Sequence, residues 1–202
     1  MQLDFDSLGK KQIYDWMSGL ITPRPIAWVS TLSIDGVANL APFSYFNAVG
    51  TEPPTLMFCP ANRADGSEKD TLQNVRRSGE FVLNLVSPET ANAMNETAAE
   101  VDPSVDEFQL AGLDPAPSRR IAVPRVQQAH VAFECKLHTT LTLGTGPGGA
   151  AMVIGRIVSL NVADSILNPD GTLNHDAHVA IGRMAGSRYI STEGGFELER
   201  PK

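Results

Sequence analysis

Residues 24–49 read Arg24-Pro25-Ile26-Ala27-Trp28-Val29-Ser30-Thr31-Leu32, then Ser33-Ile34-Asp35-Gly36, then Val37-Ala38-Asn39-Leu40-Ala41-Pro42-Phe43-Ser44-Tyr45-Phe46-Asn47-Ala48-Val49. Ile26 to Leu32 is a short run rich in β-formers, which predicts a strand. Asp35-Gly36 is a hairpin signal, because glycine supplies the positive φ that a tight turn needs. Val37 to Val49 then reads as the return strand, interrupted at Pro42. This stretch is therefore β-structure, and it sets the expectation for what surrounds it.

Upstream, Ile13, Trp16, Met17 and Leu20 recur at helical spacing and predict an N-terminal helix over about residues 9–20. Downstream, Thr55 to Cys59 is a short strand. Asp70 to Ser78 is a helix with Leu72 and Val75 on its apolar face. Phe81 to Val86 is a strand, and Ser87-Pro88 opens a further helix to about Thr97. Two long strands follow, at about Ala129 to Leu143 and Ala150 to Ala163, joined by the glycine-rich run Gly144 to Gly149. A last short strand is expected near Ser187 to Ser191. Many strands with few helices, not in strict βαβ order, predict a mainly β fold with α decoration, an antiparallel barrel. Glu100 to Pro124 carries Pro103, Pro115, Pro117 and Pro124 and reads as a long surface excursion, functional or mobile, with one helical turn near Val105 to Ala111.

The chain has 202 residues, 42% of them apolar and 19% charged, enough for one domain spanning residues 1–202. Its net charge of -7 argues against a nucleic-acid partner. No apolar run approaches the ~18 residues of a membrane span, and the N-terminus lacks the pattern of a secretory signal. Two cysteines outside any Cys-x-x-Cys pair fit buried thiols in a cytoplasmic protein.

No dinucleotide fingerprint, P-loop or Gly-x-Ser-x-Gly elbow is written here. Gly144 to Gly149 reads as a hairpin turn. His175 and His178 fit a polar loop better than a metal site, so no metal ligand is assigned. Two features carry information. Ser30, Thr31, Ser44 and Asn47 are polar atoms held in apolar strands beside Tyr45 and Phe46. Fixed donors and acceptors at apolar walls suit a flat conjugated ligand, although the same hydroxyls could simply satisfy strand ends. Arg63, Lys69, Asp70 and Thr71 open the helix to Ser78. A helix start with nearby cations suits a phosphate. Asp70 is a like charge there and is expected to cap its own helix. A plain capped surface helix is the alternative.

Taken together, Arg24 to Thr31, Asn39 to Asn47, Lys69-Asp70-Thr71 with Asn74, Phe81-Val82-Leu83-Asn84, Met94-Asn95-Glu96-Thr97, Val105-Asp106-Glu107-Phe108, Phe133-Glu134-Cys135, Gly155-Arg156 and Gly182-Arg183-Met184 resemble the flavin reductase-like family of FMN-binding split-barrel proteins. The resemblance runs from about Gly19 to Tyr189. It implies an FMN-binding split β-barrel of antiparallel Greek-key type, assembled as a homodimer with flavin near the interface. Position by position, Ser30, Thr31, Pro42, Phe43, Ser44, Tyr45, Phe46 and Asn47 would line the flavin. Arg63, Lys69 and Thr71, with Asp70 between them, would hold the phosphate. Arg183 and Tyr189 would close the site, from this chain or its partner. No histidine is assigned as a proton donor, and no catalytic residue is named.

The implied activity is that of an NAD(P)H:flavin oxidoreductase, with FMN (or FAD) as cofactor and NAD(P)H as substrate. Reduced flavin could pass to a flavin-dependent monooxygenase. The alternatives are an electron carrier that keeps its FMN and serves a protein partner, and a flavin-binding protein without turnover. A flavin carries its own redox chemistry, and the protein supplies orientation and electrostatics, which fits a sequence with no acid–base cluster.

Overall fold

The computed structural model describes residues 1–201. Its elements in chain order are α1 (Lys10–Leu20), β1 (Arg24–Pro25), β2 (Ala27–Leu32), β3 (Ala38–Phe43), β4 (Phe46–Thr51), β5 (Pro54–Phe58), α2 (Asp70–Ser78), β6 (Glu80–Asn84), α3 (Ala91–Glu96), α4 (Glu107–Leu110), β7 (Pro115–Ala116), β8 (Arg125–Val126), β9 (Val131–Thr142), β10 (Ala151–Val162), β11 (Ile181–Arg183) and β12 (Tyr189–Ser191). Seven strands form one antiparallel sheet in the order β3-β2-β6-β9-β10-β5-β4. Its two edge strands are consecutive in the chain and joined by Ser44-Tyr45 alone, so the sheet must curl until its edges approach. Phe43 on one edge meets Phe58, beside the other edge, with ring centroids 5.3 Å apart. Among the described residues no ladder joins β3 to β4, which leaves the barrel split.

The inward side chains of this curl fill the core. Ala27, Val29, Phe43, Leu56, Phe58, Phe81, Leu83 and Val153 are buried there, and Leu72 and Val75 of α2 pack among them. The outer face of β2 and β3 carries Trp28 and Leu40, covered by Met94, Phe108 and Leu113. Trp28 also needs a partner for its indole N–H, and Thr97 Oγ1 accepts it at 2.9 Å. Gly155 sits where a Cβ would come within 2.3 Å of Phe81 Cζ, so only glycine lets β10 pass that ring.

Three expectations change. The predicted return strand over 37–49 is two strands, broken at Ser44-Tyr45 and not at Pro42. Pro42 stays in β3 opposite Trp28, which an edge strand tolerates because one side needs no ladder donors. The excursion over 100–124 is stapled down. The Glu134 carboxylate accepts the Arg119 and Arg120 amides at 2.8 and 2.7 Å. Glu80 accepts Ala122 N–H, Ser30 donates to the Pro124 carbonyl, and Asn84 accepts Val126 N–H. Finally, the apolar face of α1 is not covered within the chain. Trp16, Met17 and Leu20 are exposed, and Ser18 is the buried residue of that helix.

What anchors α1 is a buried arginine. Arg24 donates to the carbonyls of Ser18 at 2.5 Å and Ile21 at 2.9 Å, at the C-terminal end of the helix. A cation is favoured there by the helix dipole. The same guanidinium donates to the Met184 carbonyl and to Ser44 Oγ, both at 3.3 Å.

Candidate functional site

The start of α2 faces β3 across a cavity. Asn39, Ala41, Pro42 and Phe43 form one wall, and Arg63, Lys69, Asp70 and Thr71 form another. The turn after α3, Thr97 to Val101, with Glu107 of α4, closes the rest. Its volume is about 80 Å³. A second cavity of about 240 Å³ shares Pro42, Phe43 and Ala98 with it and extends past Ser44, Asn95, Arg183 and Tyr189. Ligand sites usually run to ~300–1,000 Å³. Neither cavity suffices alone for a cofactor; the two adjoin at Pro42, Phe43 and Ala98, and together form a trough-like site with an apolar shared part and cations beside it.

The cationic end is built by α2. Its first two amides, Asp70 and Thr71, have no acceptor inside the helix, and Lys69 at the cap position makes no side-chain cap bond. Asp70 is not the predicted cap. Its carboxylate pairs with Arg63 at 2.5 Å, and Arg63 also donates to the Glu68 carbonyl. Lys69 Nζ lies 3.5 Å from Glu100 Oε1.

Beneath this end lies a buried polar network. The Thr71 hydroxyl donates to Asn39 Oδ1 at 2.7 Å, and Thr31 donates to the same oxygen at 3.2 Å. Asn39 in turn donates to Glu107 Oε1, and Leu40 N–H donates to Glu107 Oε2. Burial pushes the Glu107 carboxyl above its ordinary range, against the pull of those two donors. Thr71 has thus spent its one proton on Asn39, so what it offers the trough is its backbone amide.

The predicted site residues therefore divide. Pro42, Phe43, Ser44, Arg63, Lys69, Asp70, Thr71, Arg183 and Tyr189 line the trough. Arg183 and Tyr189 come from this chain's own β11–β12 hairpin, stacked as a cation–π pair at 4.5 Å, with Tyr189 donating to Asn95 at 3.4 Å. Ser30 and Thr31 are fully buried with protein partners, and neither side chain lines the trough. They belong to β2, an interior strand whose two faces are both covered. Tyr45, Phe46 and Asn47 do not line the trough either, because the break at Ser44-Tyr45 carries the chain to the other edge of the sheet. Tyr45 O accepts Cys59 N–H, Phe46 packs on the core, and Asn47 caps Ala48 N–H. The sequence reading missed Asn39, Glu107 and the Thr97 to Glu100 turn. Glu107 between Val105 and Phe108 was the available signal, an acid flanked by apolar positions. Among the described residues no group of three His, Cys, Asp or Glu side chains could hold a metal ion.

Residues 17–181 match the family described as a flavin reductase like domain. The chain belongs to the flavin reductase-like family. An uncharacterised member from Aquifex aeolicus is 41% identical over 187 residues, covering 93% of each chain. Among solved structures, nitrilotriacetate monooxygenase component B from Bacillus cereus superposes with a TM-score of 0.92 at 34% identity, covering 98% of both chains. The 2-nitrobenzoate 2-nitroreductase of Pseudomonas fluorescens gives 0.90 at 30% identity, covering 100% of this chain and 96% of that one. The flavin reductase-like split barrel is thus the fold of this chain, and its function is flavin-related redox chemistry.

Proposed function

We propose that this chain binds FMN along the trough and works as an NAD(P)H-dependent flavin reductase. The observation that carries the reading is two adjoining cavities that share Pro42, Phe43 and Ala98, one of them reaching Lys69 and the two amides at the start of α2 that have no acceptor inside the helix. The residues present suit the group. The amides of Asp70 and Thr71 and the Lys69 ammonium would receive the phosphate. Pro42 and Phe43 would flank the ring, and Ser44 would meet its polar rim. Bound flavin would accept hydride from a nicotinamide and supply the redox step. The chain's own work is to orient the ring and to fix the phosphate end. It also keeps a charge off the apolar middle, since the Arg183 guanidinium is held by Tyr189 and the Gly186 carbonyl.

We further propose a homodimer, supported by the uncovered face of α1. The Bacillus cereus neighbour is described as one component of a monooxygenase. That supports a reading in which a separate oxygenase component receives the reduced flavin.

The test is direct. Purified protein is loaded with FMN and mixed anaerobically with NADH or NADPH while flavin absorbance is followed. Rapid bleaching with at least one nicotinamide, followed by release of reduced flavin, is expected. Tight FMN that neither nicotinamide reduces would overturn the reductase and favour a carrier.

A further inference from the structure

The cations at the phosphate end of the trough are already engaged by carboxylates of the same chain. This inference rests on the FMN reading above. Arg63 and Asp70 sit 2.5 Å apart with both side chains 21% exposed, and Arg63 has a second bond to the Glu68 carbonyl. That pair is tight and enclosed. Lys69 and Glu100 differ. Their 3.5 Å separation exceeds the ~2.7–2.9 Å of a well-formed charged hydrogen bond. Glu100 is 61% exposed and can swing into solvent. The turn leading to it is tied down: Ala98 and Ala99 N–H donate to the Asn95 and Glu96 carbonyls, and Thr97 accepts the Trp28 indole N–H and donates to the Met94 carbonyl. The part free to move is thus the exposed Glu100 side chain beyond that turn.

We propose that Glu100 is a built-in competitor for the flavin phosphate. Its carboxylate pairs with Lys69 when the cleft is empty and must yield that ammonium to a phosphomonoester. Asp70 stays on Arg63 throughout. After exchange the Glu100 carboxylate stays within reach of Lys69 and recaptures the ammonium as the phosphate moves off. Its effect is to shorten retention of FMN relative to a site where Lys69 is free. The cofactor becomes an exchanging one, as a protein that hands reduced flavin onward requires.

The experiment is calorimetric titration of the full chain with FMN and with riboflavin, which lacks the phosphate. It is run on wild type, Glu100→Gln, Lys69→Ala and the double variant, with FMN dissociation followed by stopped-flow fluorescence. Exposed ion pairs couple by about two- to fivefold. Glu100→Gln is therefore expected to tighten FMN by about that factor, mostly through slower dissociation. Riboflavin affinity is expected to stay the same, and the gain to shrink when Lys69 is Ala. Unchanged or weaker FMN binding in Glu100→Gln, with Lys69→Ala still impaired, overturns the competitor and leaves the phosphate site standing. Equal tightening of FMN and riboflavin overturns it as well, since the effect would then be a general loosening of the cleft. A full gain surviving in the Lys69→Ala background reduces Glu100 to plain repulsion and also overturns the exchange. If Lys69→Ala itself leaves FMN affinity untouched, the phosphate reading fails and Glu100 falls with it.

Discussion

Lys69 is the residue on which the FMN reading turns. Charged hydrogen bonds are worth ~1.5–3 kcal/mol, and ~1.4 kcal/mol is tenfold in affinity. Lys69→Ala is expected to weaken FMN about 10- to 150-fold by calorimetry, with little change in melting temperature. The lower end is expected, because the ammonium is partly screened and already paired with Glu100. Equal losses for FMN and riboflavin would make the residue structural. Glu107 gives a different test. Its folded carboxyl holds its proton to higher pH than the unfolded one, because burial raises it. The folded state thus binds more protons, and this group's contribution to stability falls as pH rises from the ordinary carboxyl value of ~4.3 through the raised one. Urea titrations across that window should show the wild-type stability falling relative to Glu107→Gln as pH increases. The variant is also expected to lose stability at every pH, by ~1–3 kcal/mol, since Asn39 and Leu40 N–H bond separate carboxylate oxygens and a glutamine turns its NH2 toward one of those donors. A flat difference across the window would show that the buried carboxyl does not titrate with folding.

At the scale of elements, β10 passes Phe81 only because residue 155 has no side chain. Gly155→Ala should cost ~1–3 kcal/mol by overpacking, read as a lower urea midpoint with an unchanged slope. A neutral result would mean that Phe81 has room to move. Strands and helices whose apolar residues face a single core were legible beforehand. The apolar spacing of Asp70 to Ser78 marks the helix to the residue, and the two long strands lie within two residues of the bounds their sequence predicts. What could not be read is anything fixed by a distant partner. The break at Ser44-Tyr45 follows from the need to reach the other sheet edge, and no local signal marks it. The same holds for Ser30 and Thr31. Their hydroxyls look available in the sequence, but Pro124 and Asn39 take them in the fold. Lys69, Arg63 and the helix start were legible as a cationic cluster because an α2 terminus is a local feature. Asp70 and Glu100 as their occupants were not, since Glu100 arrives from thirty-one residues away.

For the whole molecule, the expectation concerns mass. Tyr14, Leu20, Ile21 and Val49 leave apolar area in water, with Leu20 73% exposed. Large apolar side chains left exposed on and just beyond α1 suit a surface that a partner copy covers. Light scattering after size exclusion should give twice the 21.7 kDa chain mass. Leu20→Glu should yield a monomer with an unchanged far-ultraviolet circular dichroism spectrum, because the side chain touches no core within the chain. A monomeric wild type that still binds FMN would remove the dimer from the account.

The pairing of β5 with β10 has a consequence for synthesis on the ribosome. Leu56 pairs with Gly155 and Phe58 with Val153. At 5–20 residues per second, β10 emerges roughly 5–20 s after β5, since about ninety residues separate them. Until then the β4–β5 hairpin has no inner neighbour and presents an unpaired edge with apolar side chains. Arg24 waits longer still, because Met184 supplies one of its acceptors. The nascent chain therefore cannot close its barrel piecemeal, and a fragment ending before residue 151 is expected to emerge unfolded, sticky and dependent on chaperones.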